Sequence, residues 1–190
     1  DGLTISLLYK NGSLVRAETR GDGSIGEDVT HNARIVSSIP KRIGIKDRKV
    51  IVDGEMICTY KDFEQFKDKY KNPRNFASGS IRLLDSKECS ERHLTFVAWD
   101  CISGVEAKTL SEKLYKLAHL GFYIVPHGTS DLISCDRDYQ FAIDNIKKRS
   151  KLLGYPIDGV VFKINNCAEY AAAGETSHHP SAAIAYKFYD

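Results

Sequence analysis

Two segments of this chain set a lysine beside small residues on what reads as a β-strand. The first is Pro156-Ile157-Asp158-Gly159-Val160-Val161-Phe162-Lys163. Alternate side chains of a strand share a face, so Val160, Phe162 and Ile164 form an apolar face while Gly159, Val161 and Lys163 form the other. A glycine next to a lysine leaves room for something to approach the backbone. The last strand, Ala182 to Tyr189, repeats the arrangement, with Ile184, Tyr186 and Phe188 on one face and Ala183, Ala185 and Lys187 on the other. One such lysine is ordinarily a solvated side chain. Two on similar floors point to point charges converging on a phosphate.

Asp53 and Glu55 are two residues apart on a predicted strand, so both carboxylates face one side. Such a pair suits Mg²⁺ or ribose hydroxyls, or is simply an exposed strand face. Thr19 to Asp28 is a glycine-rich loop before a helix start, able to bring backbone N–H groups to a phosphate, but it matches neither the P-loop nor the dinucleotide pattern. Asn72-Pro73-Arg74-Asn75, with Arg82, is a basic, amide-rich segment suited to a DNA backbone or to a solvated turn. His178-His179 is a weak metal signal, and no metal site is assigned to the chain's own residues. Trp99, the sole tryptophan, is either core or a stacking partner for a base.

These residues need elements to hold them. Leu3 to Leu7 alternates apolar and polar, and Asn11-Gly12 then Leu14 to Thr19 complete a hairpin signal. Glu27 and Asp28 sit where a helix N-terminus favours negative charge. A strand is predicted over Lys49 to Thr59. A helix follows over Lys61 to Tyr70, with Phe63, Phe66 and Tyr70 on one stripe and Asn72-Pro73 as its breaker. Leu94 to Cys101 reads as a strand. Leu110, Leu114 and Leu117 mark a helix stopped by Gly121, and Asp136 caps another reaching Leu153. The sum is an α+β chain with mainly antiparallel sheets and flanking helices.

At 190 residues, with 42% hydrophobic and 27% charged residues, the chain can build a real core. A net charge of +2 provides no global field toward nucleic acid, so DNA contacts fall to local patches of Lys and Arg. Five cysteines without a C-x-x-C pair argue against a disulfide framework or zinc site and favour a reducing, cytoplasmic setting. No apolar run is long enough to span a membrane, and no signal peptide opens the sequence.

In their order, these segments resemble the nucleotidyltransferase domain of NAD-dependent DNA ligases. The resemblance runs through Asp1-Gly2, Thr19 to Gly23 with Gly26-Glu27-Asp28 and Asn32, Gly54-Glu55, Asn72 to Asn75 and Phe96 to Trp99. It continues through Asp158 to Lys163 and Ile184 to Phe188, covering nearly the whole chain. The Thr19 to Asp28 loop and the Asn72 to Asn75 turn point to the NAD-dependent branch. The Asp158 to Lys163 strand is shared more widely among covalent nucleotidyltransferases.

The resemblance implies one adenylation domain over residues 1–190, with the ATP-grasp-like core of covalent ligases, working on nicked double-stranded DNA with NAD and Mg²⁺. In the family a lysine takes AMP from NAD, passes it to a DNA 5′-phosphate, and a 3′-hydroxyl then displaces AMP and seals the nick. Because each step is phosphoryl transfer, positioning and charge neutralisation supply most of the catalysis. The implied roles are phosphate neutralisation by Arg20, Lys163 and Lys187, a ribose contact from Glu55, and stacking by Trp99, where the family has Tyr. Asp1 and Gly2 would end the Lys-x-Asp-Gly motif, and Arg74, Asn75 and Arg82 would contact DNA. The acceptor lysine of that motif falls two positions before Asp1, on a preceding segment or on another chain, or is lost, so the 190 residues alone are not expected to form lysyl-AMP. Asp53 stands where the NAD branch has Arg, and Asp100 where it has Gly. Both lean toward an ATP-dependent polynucleotide ligase, the alternative reading. A non-catalytic or split-enzyme fragment that binds nucleotide or DNA is the third.

Overall fold

A computed structural model of the chain describes residues 1–20, 26–131, 133–176 and 179–188. The predicted hairpin is its first feature. Strands β1 (Leu3–Lys10) and β2 (Ser13–Thr19) pair antiparallel. Asn11 (φ 52°) and Gly12 (φ 74°) supply the two left-handed positions of a tight turn. Strand β3 (Val50–Ile57) pairs with the other edge of β1, and β4 (Thr95–Ser103) pairs with β3, both antiparallel.

One expectation is corrected at the far edge. The five-stranded sheet, in order β2-β1-β3-β4-β5, is mixed, because the two-residue β5 (Tyr123–Ile124) runs parallel to β4. Helix α5 (Leu110–His119) lies between β4 and β5, and a helical crossover returns the chain in its original direction. A second sheet holds only β6 (Gly159–Lys163) and β7 (Ala183–Lys187), paired antiparallel. The remaining helices are α1 (Thr30–Ala33), α2 (Tyr60–Phe63), α3 (Pro73–Ser80), α4 (Ser86–Ser90), α6 (Asp136–Leu153) and α7 (Cys167–Ala172).

The helix expected over Lys61 to Tyr70 is instead α2 followed by a 3-10 turn, Glu64–Phe66. Phe63, Phe66 and Tyr70 still gather, their rings 5.7, 4.5 and 4.9 Å from that of Phe76 on α3. Asn72 ends one helix by starting the next: its side chain caps α3, accepting from the Asn75 N–H at 2.8 Å, and Pro73 fills the first turn where no N–H is needed. Cys135 rather than Asp136 precedes α6, and Gly154 (φ 69°) ends it. Along β1, Ile5, Leu7 and Tyr9 are fully buried and join Val52, Met56, Phe76, Phe96 and Leu117 in the core, while Thr4 and Ser6 face the other way. That second, polar face of the sheet also holds Asp53 and Glu55 of β3.

Candidate active site

The register of β1 with β3 sets Thr4 opposite Glu55 and Ser6 opposite Asp53. Residues directly opposite in an antiparallel pair share a face, so these four side chains form one polar surface. Half-buried Glu55 is held at both oxygens: Oε1 accepts the Gly2 N–H and Oε2 the Thr4 hydroxyl, each at 3.1 Å. A side chain at position 2 would put Cβ 2.0 Å from the Met56 carbonyl oxygen, so only glycine lets the chain run this close to β3. Asp53 is 2% exposed and pairs with Arg20 Nη2 at 3.3 Å. The expected surface pair of carboxylates is therefore two groups with different environments, one a buried counter-ion to Arg20 and one open on the face.

Strand β4 breaks its alternation where it passes Asp53. Asp53 lies opposite Asp100 and Gly54 opposite Ala98, leaving Trp99 as the extra residue of a bulge. Bulges re-aim side chains beside functional sites. Trp99, half-buried rather than core, faces β6, where the Lys163 ammonium lies 5.2 Å from its ring centre. Next to it, Asp100 Oδ1 accepts from the Cys101 N–H at 2.7 Å and pairs with Lys113 Nζ of α5 at 3.2 Å. Lys163 is exposed as a whole residue, and partial loss of water around it holds its pKa below the ordinary lysine value; Asp100 opposes this and Lys113 adds to it.

The β6–β7 ribbon sets its two lysines apart. Lys187 is opposite Gly159 and Lys163 opposite Ala183, four positions away along β6. That is about 13 Å of strand, so the two ammonium groups sit over different parts of one face. Lys187 Nζ is 2.7 Å from Asp158 Oδ2, and this bond holds the Asp158 carboxyl below the usual carboxylate range. Gly159 does not clear space for a ligand as expected. A Cβ there would lie 2.5 Å from the Tyr186 carbonyl oxygen, so the glycine admits the paired strand itself. The ribbon is tied to the sheet at its start: the Asp1 nitrogen donates to the Pro156 carbonyl at 2.5 Å, and Asp1 Oδ1 is 3.3 Å from Arg74 Nη1 of α3.

Gly2, Arg20 and Glu55 thus lie on or beside the polar face of the sheet, Arg74 reaches Asp1 from α3, and the ribbon brings Lys163 to Trp99 and Lys187 to Asp158. Two surface hollows lie elsewhere, one lined by Ile45, Arg48 and Lys116 and the other by Phe66, Tyr70 and Arg92. The expected DNA-contact set is split. Asn75 is exposed in the first turn of α3 beside Arg74, whereas Arg82, just beyond the other end, pairs with Glu27 and donates to Ser78 Oγ. Of the glycine-rich loop, Gly21 to Ile25 lie outside the described residues. Its neck is closed by Thr19, whose hydroxyl accepts from the Glu27 N–H at 3.0 Å. His178 also lies outside the described residues. Among those described, no three His, Cys, Asp or Glu side chains group as metal ligands, no helix is long and apolar enough to cross a membrane, and the five cysteines are free. Lys113 and Thr4 were not legible as site residues, since an exposed-looking helix lysine and a strand threonine carry no signal until the sheet is assembled.

Comparison with known proteins follows the same outline. The family model for the NAD-dependent DNA ligase adenylation domain matches residues 1–190. The chain is 40% identical over 99% of its length to a DNA ligase of Chlorobium phaeobacteroides. It is 41% identical to that of Mycoplasma mycoides and 39% to that of Caldicellulosiruptor bescii, again over 99% of the chain. It spans about 30% of the length of these relatives. Asp53 and Asp100, the two departures toward the ATP-dependent pattern, are each matched by a cation of this chain, Arg20 and Lys113. The chain belongs to the family of NAD-dependent DNA ligase adenylation domains.

Proposed function

We propose that residues 1–190 form one nucleotidyltransferase domain of the ATP-grasp-like kind, the adenylation core of a cytoplasmic ligase that seals nicks in double-stranded DNA. The observation that carries this reading is the contact of Lys163 from β6 with Trp99 of β4, beside the polar sheet face that holds Glu55. The donor set fits an adenylate. Each Glu55 oxygen accepts one protein hydrogen bond and keeps capacity for ribose hydroxyls. Trp99, only half-buried, offers an indole for stacking on or beside the adenine, with Lys163 against its ring. Lys163 and Lys187 neutralise phosphate charge from two positions, and Arg20 adds a third cation at the sheet edge.

NAD supplies the activated adenylate. Mg²⁺ suits the site as a phosphate-held, largely hydrated ion, because it needs only one or two carboxylates from the protein. Asp1 and Gly2 position the end of the Lys-x-Asp-Gly motif, whose lysine the full-length protein would provide just ahead of Asp1. Arg74 and Asn75, exposed at the start of α3, serve the DNA backbone, while Arg82, beyond the other end of α3, braces the Glu27 segment.

The test is label transfer. Full-length protein incubated with NAD labelled in its adenylate should acquire the label on lysine, and Lys163→Ala and Lys187→Ala should each slow the transfer with unchanged circular dichroism. Labelling by ATP alone would overturn the cofactor, and no labelling by either would favour a non-catalytic binding module.

A further inference from the structure

The three residues just past the end of α3, Ile81, Arg82 and Leu83, are gripped by the segment that leads out of the glycine-rich loop. Asn32 of α1 is fully buried, and its Nδ2 donates to the carbonyls of Ile81 at 2.9 Å and Leu83 at 2.6 Å. The neighbouring His31 Nε2 lies 3.0 Å from the same Leu83 carbonyl, which can only accept, so this nitrogen carries the proton. Between the two carbonyls, the Arg82 guanidinium pairs with Glu27. The loop neck closes by other bonds. Thr19 and Glu27 exchange two, each at 3.0 Å, and Thr30 Oγ1 accepts from the Ala17 N–H at 2.9 Å. The start of α3 is also fixed separately, by the Asn72 cap and by Arg74, which reaches Asp1.

The Asn32 amide carries a penalty. Among the described residues no donor reaches its buried Oδ1, and an acceptor buried without a partner destabilises a fold. An apolar side chain of similar volume would avoid that penalty but could not hold two carbonyls. What the amide secures is therefore the placement of residues 81–83, and through them the far end of α3.

We propose that Asn32 is a positioning residue for the steps on DNA: it locks the far end of α3 against the glycine-rich loop and so sets how the helix presents Arg74 and Asn75 to the DNA backbone. This rests on the DNA role of α3 given above. Because the loop neck does not depend on Asn32, transfer of AMP from NAD is separable from transfer and sealing on the nick.

Full-length protein is assayed twice, once for self-adenylation with labelled NAD and once preloaded with AMP and mixed with nicked duplex. Asn32→Leu removes both donated bonds together with the orphan acceptor. Its self-adenylation should stay within about twofold of wild type. Its kcat/KM for sealing should fall by about tenfold or more, since a shift of about 1 Å in a substrate-positioning group can cost this much. His31→Ala, at an exposed position, removes one bond to Leu83 and should show the same split with a smaller loss. A merely structural role would instead lower both steps together with the melting temperature. Arg74→Ala is run alongside. If it seals like wild type, the DNA role of α3 is wrong and the inference falls with it. If Arg74→Ala is impaired but Asn32→Leu and His31→Ala seal normally, or lose self-adenylation as much as sealing, the inference alone is overturned. His31→Ala keeps the test decisive should Asn32→Leu fail to fold.

Discussion

Replacing Glu55 by Gln isolates the charge of one site residue from its place in the fold. Each carboxylate oxygen accepts one hydrogen bond from the protein, from the Gly2 N–H and from the Thr4 hydroxyl. A glutamine amide can keep both: its oxygen takes the Gly2 N–H, and its NH₂ donates to the Thr4 hydroxyl, which rotates to accept. The local frame therefore survives, and what disappears is the charged acceptor offered to a ribose. A hydrogen bond to a charged group contributes about 1.5–3 kcal/mol and a neutral one about 0.5–1.5 kcal/mol. The difference, about 1.4 kcal/mol, corresponds to about tenfold. Steady-state self-adenylation of full-length Glu55→Gln should show kcat/KM for NAD about tenfold down, with a melting temperature close to wild type. Glu55→Ala should lose more on both counts, because the Gly2 N–H then lacks its acceptor, at about 1–3 kcal/mol. Wild-type kcat and KM in Glu55→Gln would refute the ribose contact. A melting loss in Glu55→Gln equal to that of Glu55→Ala would place Glu55 in the frame instead of the site.

Arg20→Met strips the nearly buried Asp53 of its cation; since Arg20 is 60% exposed, water softens the loss to about 1–2 kcal/mol, read as a shift in denaturation midpoint by Trp99 fluorescence, and an unmoved midpoint would show that the pair contributes nothing. Asp158 has its carboxyl pKa depressed by Lys187, so its stabilisation is complete above the ordinary carboxylate pKa and fades as pH falls through the depressed value; wild type and Lys187→Met should differ in melting temperature at neutral pH and converge in acid, and a constant gap would contradict this. Gly159→Ala forces Cβ to 2.5 Å from the Tyr186 carbonyl oxygen, so β6 and β7 must separate locally, at a cost of about 1–3 kcal/mol in denaturation experiments and with slower adenylation; a variant as stable as wild type would show that the ribbon tolerates the shift.

The sequence was informative where a local rule governs. Asn11-Gly12 specifies its own turn, the period-two alternation of β6 and β7 puts Lys163 and Lys187 on one face, and the spacing of Asp53 and Glu55 puts both on one side of β3. The order of motifs carried the family, since each names residue types fixed along the chain. Pairing between distant segments was not legible. The two-residue β5 is too short to leave a pattern, and its parallel direction follows from the crossover through α5. The Trp99 bulge is a mismatch between two strands and belongs to neither alone, so nothing in Phe96 to Asp100 announces that Trp99 will meet Lys163. Asp53 and Asp100 read as isolated departures from the family until the fold supplies Arg20 from β2's end and Lys113 from α5. Residue chemistry and local periodicity, which depend on neighbours in the chain, were therefore fixed by the sequence alone. The partner of each charge depends on which strands lie side by side, and only the assembled sheet and ribbon decide that.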